Sequence, residues 1–218
     1  MPTNVFNTNQ GQTAQWDQIA RERRALRQQL KQARSNLSPA DQQRAAQQLI
    51  AQVLSQDWFK TCSTVALYHS FGAELDTGPL INALLHAGKR LCLPVLHPFA
   101  KGHLLMLMYA SSTPLRLNTY GILEPQLDCR GVVPLAEVDC IFTPLVGFDD
   151  YGNRLGMGGG YYDRTLASWA QGRYPQLEVC GLAHDCQHVT QIPIQAWDVP
   201  LPRVITPTQS WRFTQQAV

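Results

Sequence analysis

An α/β fold is what this sequence predicts: a mainly parallel sheet covered by helices on both faces and preceded by a helical lead-in. Three observations carry that prediction. Short β-rich runs recur at 64–68, 91–96, 104–109, 138–146, 178–183 and 203–206, each too short for a helix. Between the first two, the segment 76–87 places Leu80, Ile81, Leu84 and Leu85 on one helical face, with Gly88 just past its end as a stop signal. A strand, a helix and a second strand of this length pair in parallel through a right-handed crossover.

The elements follow in chain order. Residues 1–15 are polar, with neither a basic start nor an apolar middle, and read as a mobile tail rather than a secretory signal. Over 15–33, Trp16, Ile19, Ala20, Leu26, Leu30 and Ala33 return at spacings near three and four among Arg and Gln, the pattern of an amphipathic helix. A second helix begins at Ser38-Pro39, a capping hydroxyl followed by a residue suited to the first helical position, and runs through Leu49, Ile50, Val53 and Leu54. Residues 111–134 hold Pro and Gly turns and read as irregular chain near the strand ends. A last helix runs from Tyr161 to about residue 170. With 218 residues and 44% hydrophobic content, a single domain over 16–218 is expected.

The charge is nearly balanced, 18 Lys+Arg against 16 Asp+Glu, yet residues 21–34 hold six of the basic groups and one acid, leaving the rest of the chain net −3. That local excess invites a nucleic-acid reading, but the acidic remainder and the lack of an RNA or DNA motif argue against such a partner. The longest apolar run, 104–110, is far short of a membrane span, so a soluble protein with no membrane partner is expected. Six cysteines are scattered without a CxxC pair, as for reduced thiols in a cytoplasm. His184, Cys186 and His188 match no zinc-ligand spacing.

Chemistry concentrates in 142–164, FTPLVGFDDYGNRLGMGGGYYDR. A buried strand turns through Asp149, Asp150 and Gly152, presents Arg154, and then sets Gly156, Gly158, Gly159 and Gly160 directly before a helix. Residues without Cβ let backbone N–H groups approach an anion. The helix terminus adds about half a positive charge, and Arg offers a bidentate fork to phosphate oxygens. The loop is neither a P-loop nor the dinucleotide fingerprint, since Tyr161 stands where a third glycine would be. Asp163 and Asp198 are carboxylates suited to Mg²⁺ beside phosphates, and each also suits a first-turn or turn role. Glu74 and Asp76 lie past the end of the first strand, where parallel sheets place ligands. Asp76 has a capping role available, which leaves Glu74 as the better ligand residue. His69 adjoins the same strand end, and Glu124 divides evenly between a solvated turn residue and a functional one.

These segments resemble the 5-formyltetrahydrofolate cyclo-ligase family, through RRALRQQLKQARSNLSPAD, ALYHSFGAELDTGPLI, AGKRLCLPVLHP, YGILEP, FTPLVGFDDYGNRLGMGGGYYDRTL and GLAHDCQHVTQIPIQAWDVPLPRVITP. The resemblance covers nearly all of the chain from about residue 21 and looks most like the bacterial branch. It implies ATP-dependent closure of 5-formyltetrahydrofolate to 5,10-methenyltetrahydrofolate with Mg²⁺, the formyl oxygen being phosphorylated and N10 attacking the activated carbon. It implies ATP contacts at Arg23, Arg27, Arg154, Gly156, Met157, Gly158, Gly159, Gly160, Tyr161 and Tyr162, with Arg154 and Tyr161 catalytic. It further implies substrate contacts at His69, Glu74 and Tyr161, metal ligation by Asp163 and Asp198, a monomer, and the three-layer fold shared with certain sugar-phosphate isomerases and coenzyme A transferases (NagB/RpiA/CoA transferase-like). Some relatives carry a basic residue in place of Met157 or Gly159, so Arg154 is the loop's own cation here. A phosphosugar-binding or isomerase-type protein on the same fold is the alternative, and it needs no ATP.

Overall fold

The computed structural model describes residues 8–214, with side chains from residue 14 onward. Residues 1–7, the first part of the segment read as a tail, and 215–218 lie outside the described residues. Helix α1 (Thr8–Ser35) begins well before the predicted start, because the turns ahead of Trp16 contain no proline and propagation costs little once a helix exists. Helix α2 (Pro39–Leu54) starts where predicted, the Ser38 hydroxyl accepting from Asp41 N at 3.1 Å. A single turn, α3 (Asp57–Lys60), drops Phe59 into the core.

The predicted βαβ unit is present as β1 (Thr64–Ala66), α4 (Gly78–His86) and β2 (Arg90–Leu96), with β1 and β2 parallel and Thr64 opposite Arg90. Strand β3 (Leu104–Tyr109) folds back antiparallel on β2. The stretch read as irregular contains a hairpin, β4 (Leu115–Leu117) with β5 (Leu123–Pro125), and an edge strand, β6 (Val132–Val133). These are too short for periodicity to show. The run 138–146 ends as a sheet strand at Pro144, giving β7 (Cys140–Pro144). The chain then leaves the sheet as β8 (Gly147–Asp149), which pairs with β9 (Arg154–Leu155). Helix α5 (Tyr161–Ala170), β10 (Glu178–Leu182), β11 (His188–Val189), β12 (Arg203–Ile205) and β13 (Ser210–Arg212) complete the order.

The main sheet runs β13-β12-β10-β7-β1-β2-β3-β6, parallel from β12 to β2 and antiparallel at both edges. Its inner strands alternate between two apolar faces, which is why they read as unbroken apolar runs. Val65, Leu67, Leu91, Leu93, Phe142 and Leu182 point to the face covered by α2, α3 and α4. Ala66, Cys92, Ile141, Val179 and Val204 point to the face covered by α5 and the C-terminal segments. Helix α1 stands apart, docking Leu30 against Val146, Leu155 and Ile192. Among the described residues no helix is long and apolar enough to cross a membrane, and all six cysteines are free.

Past the end of β10, His184 is buried at 2% exposure beside Arg34, and burial together with that charge pushes its imidazole down from 6.5 to about 4. The unfolded chain therefore binds a proton that the folded chain refuses, so stability is complete above pH 6.5 and declines as pH falls towards about 4. Urea denaturation at pH 7 and pH 5 should show the wild type losing stability that a His184→Asn variant keeps. Equal losses in the two proteins would show that His184 does not titrate this way.

Candidate active site

The chain leaves β1 to one side for β2 and returns to the other side of β1 for β7, so the sheet has a topological switch point between β1 and β7. Open α/β sheets bind ligands outside the carboxyl ends of the strands at that point. A cleft of about 470 Å³ lies there, floored by Tyr68 and His69 past β1, Pro144 and Leu145 at the end of β7, and Leu93 and Pro94 of β2.

Its cationic wall comes from three places. Arg23 and Arg27 stand four residues apart on α1 and face the cleft together, while Arg154 rises from β9. Arg23 is 6% exposed and forms a two-point ion pair with Asp198, its second contact running from Nη2 to Oδ1 at 3.0 Å. Arg27 donates Nε–H to the Gly156 carbonyl at 2.8 Å, and burial next to Arg23 pushes its guanidinium pKa down. Arg154, 4% exposed, donates to Asp163 Oδ1 at 2.6 Å and lies over the Tyr162 ring. Sequence spacing relates Arg23 to Arg27, and only the tertiary fold brings both to Arg154.

The glycine loop crosses between these cations. Gly158 has φ +109° and Gly160, the N-cap of α5, has φ +65°, backbone that favours glycine. A Cβ at Gly156 would sit 3.5 Å from Arg154 Nη1, an ordinary van der Waals contact. The N–H groups of Met157, Gly158, Gly159 and Gly160 donate no backbone hydrogen bond among the described residues, while the loop's helix adds its N-terminal dipole. The glycine loop, Arg27 and Arg154 thus lie together at one end of the cleft, with Tyr161 and Tyr162 beginning the helix beyond them.

The other half of the cleft is apolar with a few polar groups. Glu74 accepts from Phe71 N at 3.0 Å and lies 3.9 Å from Arg34, so the better ligand residue also has a structural contact. Burial pushes its carboxyl pKa up, opposed by the Phe71 amide and by Arg34. The N-cap of α4 is Thr77, which makes no side-chain cap bond; Asp76, one residue earlier, accepts from Gly78 N at 2.9 Å. His69 presents a buried Nε2 without a partner among the described residues, and burial lowers its pKa, keeping it neutral. Across the mouth, Tyr161 OH meets Tyr120 OH at 2.8 Å, which raises the Tyr161 phenol pKa.

Glu124 is not a solvated turn residue. It is 3% exposed and accepts from Leu96 N at 3.1 Å, Asn118 Nδ2 at 3.2 Å and Arg116 Nη2 at 3.3 Å, pinning the β4–β5 hairpin to β2. Asp149, read as part of a turn, is fully buried and gathers Tyr151 N, Asn153 N, Asn153 Nδ2 and Ile192 N. Tyr120, Asn118, Trp197 and Glu124 line the cleft beside the predicted residues. The YGILEP motif was the one signal for the hairpin, and nothing in the spacing announced Trp197.

Asp163 and Asp198 both line the cleft, and Val199 N lies 3.3 Å from Asp163 Oδ1, so the two carboxylates come from adjoining walls. Among the described residues no group of three or more His, Cys, Asp or Glu is placed to hold a metal unaided. Asp163 engages Oδ1 with Arg154 and Val199 N, and both Asp198 oxygens are engaged by Arg23. Mg²⁺ arriving with phosphates needs only one or two protein carboxylates, and it would find these two as donors once the phosphates draw the arginines away. His184 and His188 do not converge, the first being buried by Arg34 and the second paired with Asp150 at 2.7 Å.

Comparison with known proteins agrees with this architecture. The chain is 47% identical over 184 residues to the 5-formyltetrahydrofolate cyclo-ligase of Escherichia coli K12, covering 84% of this chain and 100% of that protein. It is 44% identical over 179 residues to the Haemophilus influenzae protein of the same name, covering 82% and 94%. The solved structure of Aquifex aeolicus 5,10-methenyltetrahydrofolate synthetase superposes with a TM-score of 0.74 at 30% identity, covering 90% of this chain and 95% of that one. Because the family model for the 5-formyltetrahydrofolate cyclo-ligases matches residues 19–207, a span that runs from the arginines of α1 through the glycine loop to Asp198, the chain belongs to that family.

Proposed function

We propose that this enzyme converts 5-formyltetrahydrofolate to 5,10-methenyltetrahydrofolate at the expense of ATP, releasing ADP and phosphate. The observation that carries the reading is one cleft with two chemically distinct halves. Arg23, Arg27 and Arg154 surround a glycine loop with free amides, and an apolar chamber lined by Glu74 and the buried Glu124 opens beside it.

In this reading the formyl oxygen attacks the γ-phosphorus of ATP and ADP departs. N10 then adds to the formyl carbon, loses its proton, and phosphate leaves with the former formyl oxygen, closing the bridge. An amide-like formyl oxygen is a poor leaving group and phosphate is a good one, so this chemistry needs positioning and charge neutralisation above all. The loop amides and Arg154 would receive charge on the transferring group, with Arg27 and Arg23 on the rest of the triphosphate. Asp163 and Asp198 would hold Mg²⁺, which supplies neutralisation of phosphate charge. Glu74 and His69 would orient the pterin as hydrogen-bonding groups fixed by burial, and Tyr161, at the junction of the halves, would close the chamber against water. Free thiols are in keeping with a cytoplasmic enzyme.

Purified protein given 5-formyltetrahydrofolate, ATP and Mg²⁺ should show the near-ultraviolet absorbance of a methenyl product, with none when ATP is omitted. ATP-independent turnover of a phosphosugar would favour the alternative function instead. Arg154→Met should lower kcat by about 100-fold or more while the protein stays folded by circular dichroism, since it removes a preorganised charge from the transferring group. Near-wild-type kcat would take Arg154 out of the chemistry. Glu74→Gln should raise KM for the folate about tenfold, the loss of a charged hydrogen bond, and leave KM for ATP nearly unchanged. A rise in the ATP KM alone would put Glu74 on the wrong substrate.

A further inference from the structure

We infer that Arg164 is a positioning residue of the nucleotide cradle, holding the Gly159–Gly160 peptide so that its amide faces the phosphates. The inference rests on the proposed ATP-dependent function and concerns a side chain that does not line the cleft. Arg164 sits in the first turn of α5 and is exposed, so it contributes little to the core. Its guanidinium is nevertheless tied at several points. Nη2 donates to the Gly159 carbonyl, Nε donates to the Gly102 carbonyl at 2.9 Å, and the charge lies 5.8 Å from the centre of the Tyr161 ring.

A trans peptide is planar, with its C=O and N–H pointing in opposite directions. Holding the Gly159 carbonyl on the Arg164 side therefore turns the Gly160 N–H the other way. At the other end of the loop Arg27, which lines the cleft, takes the Gly156 carbonyl at 2.8 Å, so outward orientation of a carbonyl by an arginine outside the cleft is particular to Gly159. Carbonyl oxygens turned inward would repel phosphate, so an anion cradle made of glycine needs something to hold them outward. Arg164, which stands outside the cleft, meets that need at the Gly159 carbonyl.

The seat for the guanidinium is built. A Cβ on Gly102 would lie 2.2 Å from Arg164 Nη2, and one on Gly160 would lie 2.8 Å from Nη1. Both glycines have positive φ, +82° and +65°. The turn between β2 and β3 and the N-cap of α5 are thus both kept bare where the guanidinium passes. Arginine's planar fork reaches two carbonyls at once, which the single ammonium of lysine does not reproduce.

The test uses the full-length protein. ATP with Mg²⁺ is titrated by calorimetry, KM values for ATP and the folate are measured, and thermal unfolding is followed. Arg164→Ala should weaken ATP binding and raise the ATP KM about tenfold, with folate KM and Tm unchanged, as expected for loss of one charge-assisted hydrogen bond. Arg164→Lys should recover only part of this. Gly102→Ala, which places a methyl group in the guanidinium's seat, should reproduce the ATP defect without touching Arg164. Unchanged ATP affinity in Arg164→Ala, full rescue by lysine, or equal losses for both substrates with a fall in Tm would each overturn the inference. A wild type that fails to bind ATP at all would overturn the functional reading itself.

Discussion

The Arg23–Asp198 ion pair is the interaction on which the cleft depends. Both side chains are over nine-tenths buried, Arg23 also donates to the Pro193 carbonyl at 2.7 Å, and Asp198 accepts from Gln195 N at 2.8 Å. That cluster locks α1 to the 193–198 segment, and the Trp16–Trp197 stack at 5.8 Å extends the same contact towards solvent. With α1 in place, Arg27 lies over the glycine loop. Burying a charge pair returns little net stability once desolvation is counted. Its consequence here is placement: four residues along the same helix face, a second cation is delivered to Gly156.

The second constraint is the sheet. Alternation of apolar side chains to two covered faces makes the inner strands insensitive to solvent and keeps their register rigid, which holds the strand ends at the switch point. Tyr68 and His69 leave one strand there and Pro144 and Leu145 the next. The loops that follow carry the cleft's polar groups, and rigid strands with loop-borne polar residues are the usual division of labour. Asp149 shows how the loop is made rigid in turn. Its carboxylate collects four N–H donors from Tyr151, Asn153 and Ile192, so the turn before Arg154 is a fixed mount rather than a flexible connection.

Legibility in the sequence varied with the range of the interaction. The helix 161–170, the Ser38 cap and the β1–α4–β2 unit were readable because each is decided within a few residues. The glycine loop was readable because glycine next to a helix start has a narrow set of physical uses. Glu124 was only half readable: its carboxylate is explained by Leu96 on another strand and by Arg116 across a three-residue strand, neither of which has a periodic signature. Glu74 was legible as a ligand residue but not as the neighbour of Arg34, which lies on α1, far from the Glu74 turn in the chain.

The order of residues supplies the chemistry available: a loop stripped of Cβ atoms, one early helix rich in arginine, apolar runs sized for a covered parallel sheet, and carboxylates placed after strand ends. The tertiary structure decided which of these groups meet. Arg27 reaches a carbonyl 129 positions away and Arg23 a carboxylate 175 positions away. Periodicity and capping report only on neighbours within about a helical turn or a strand pair. Contacts across the chain depend on how the layers stack, and only the packed sheet and docked α1 put three cations, the bare loop and the apolar chamber around one cleft.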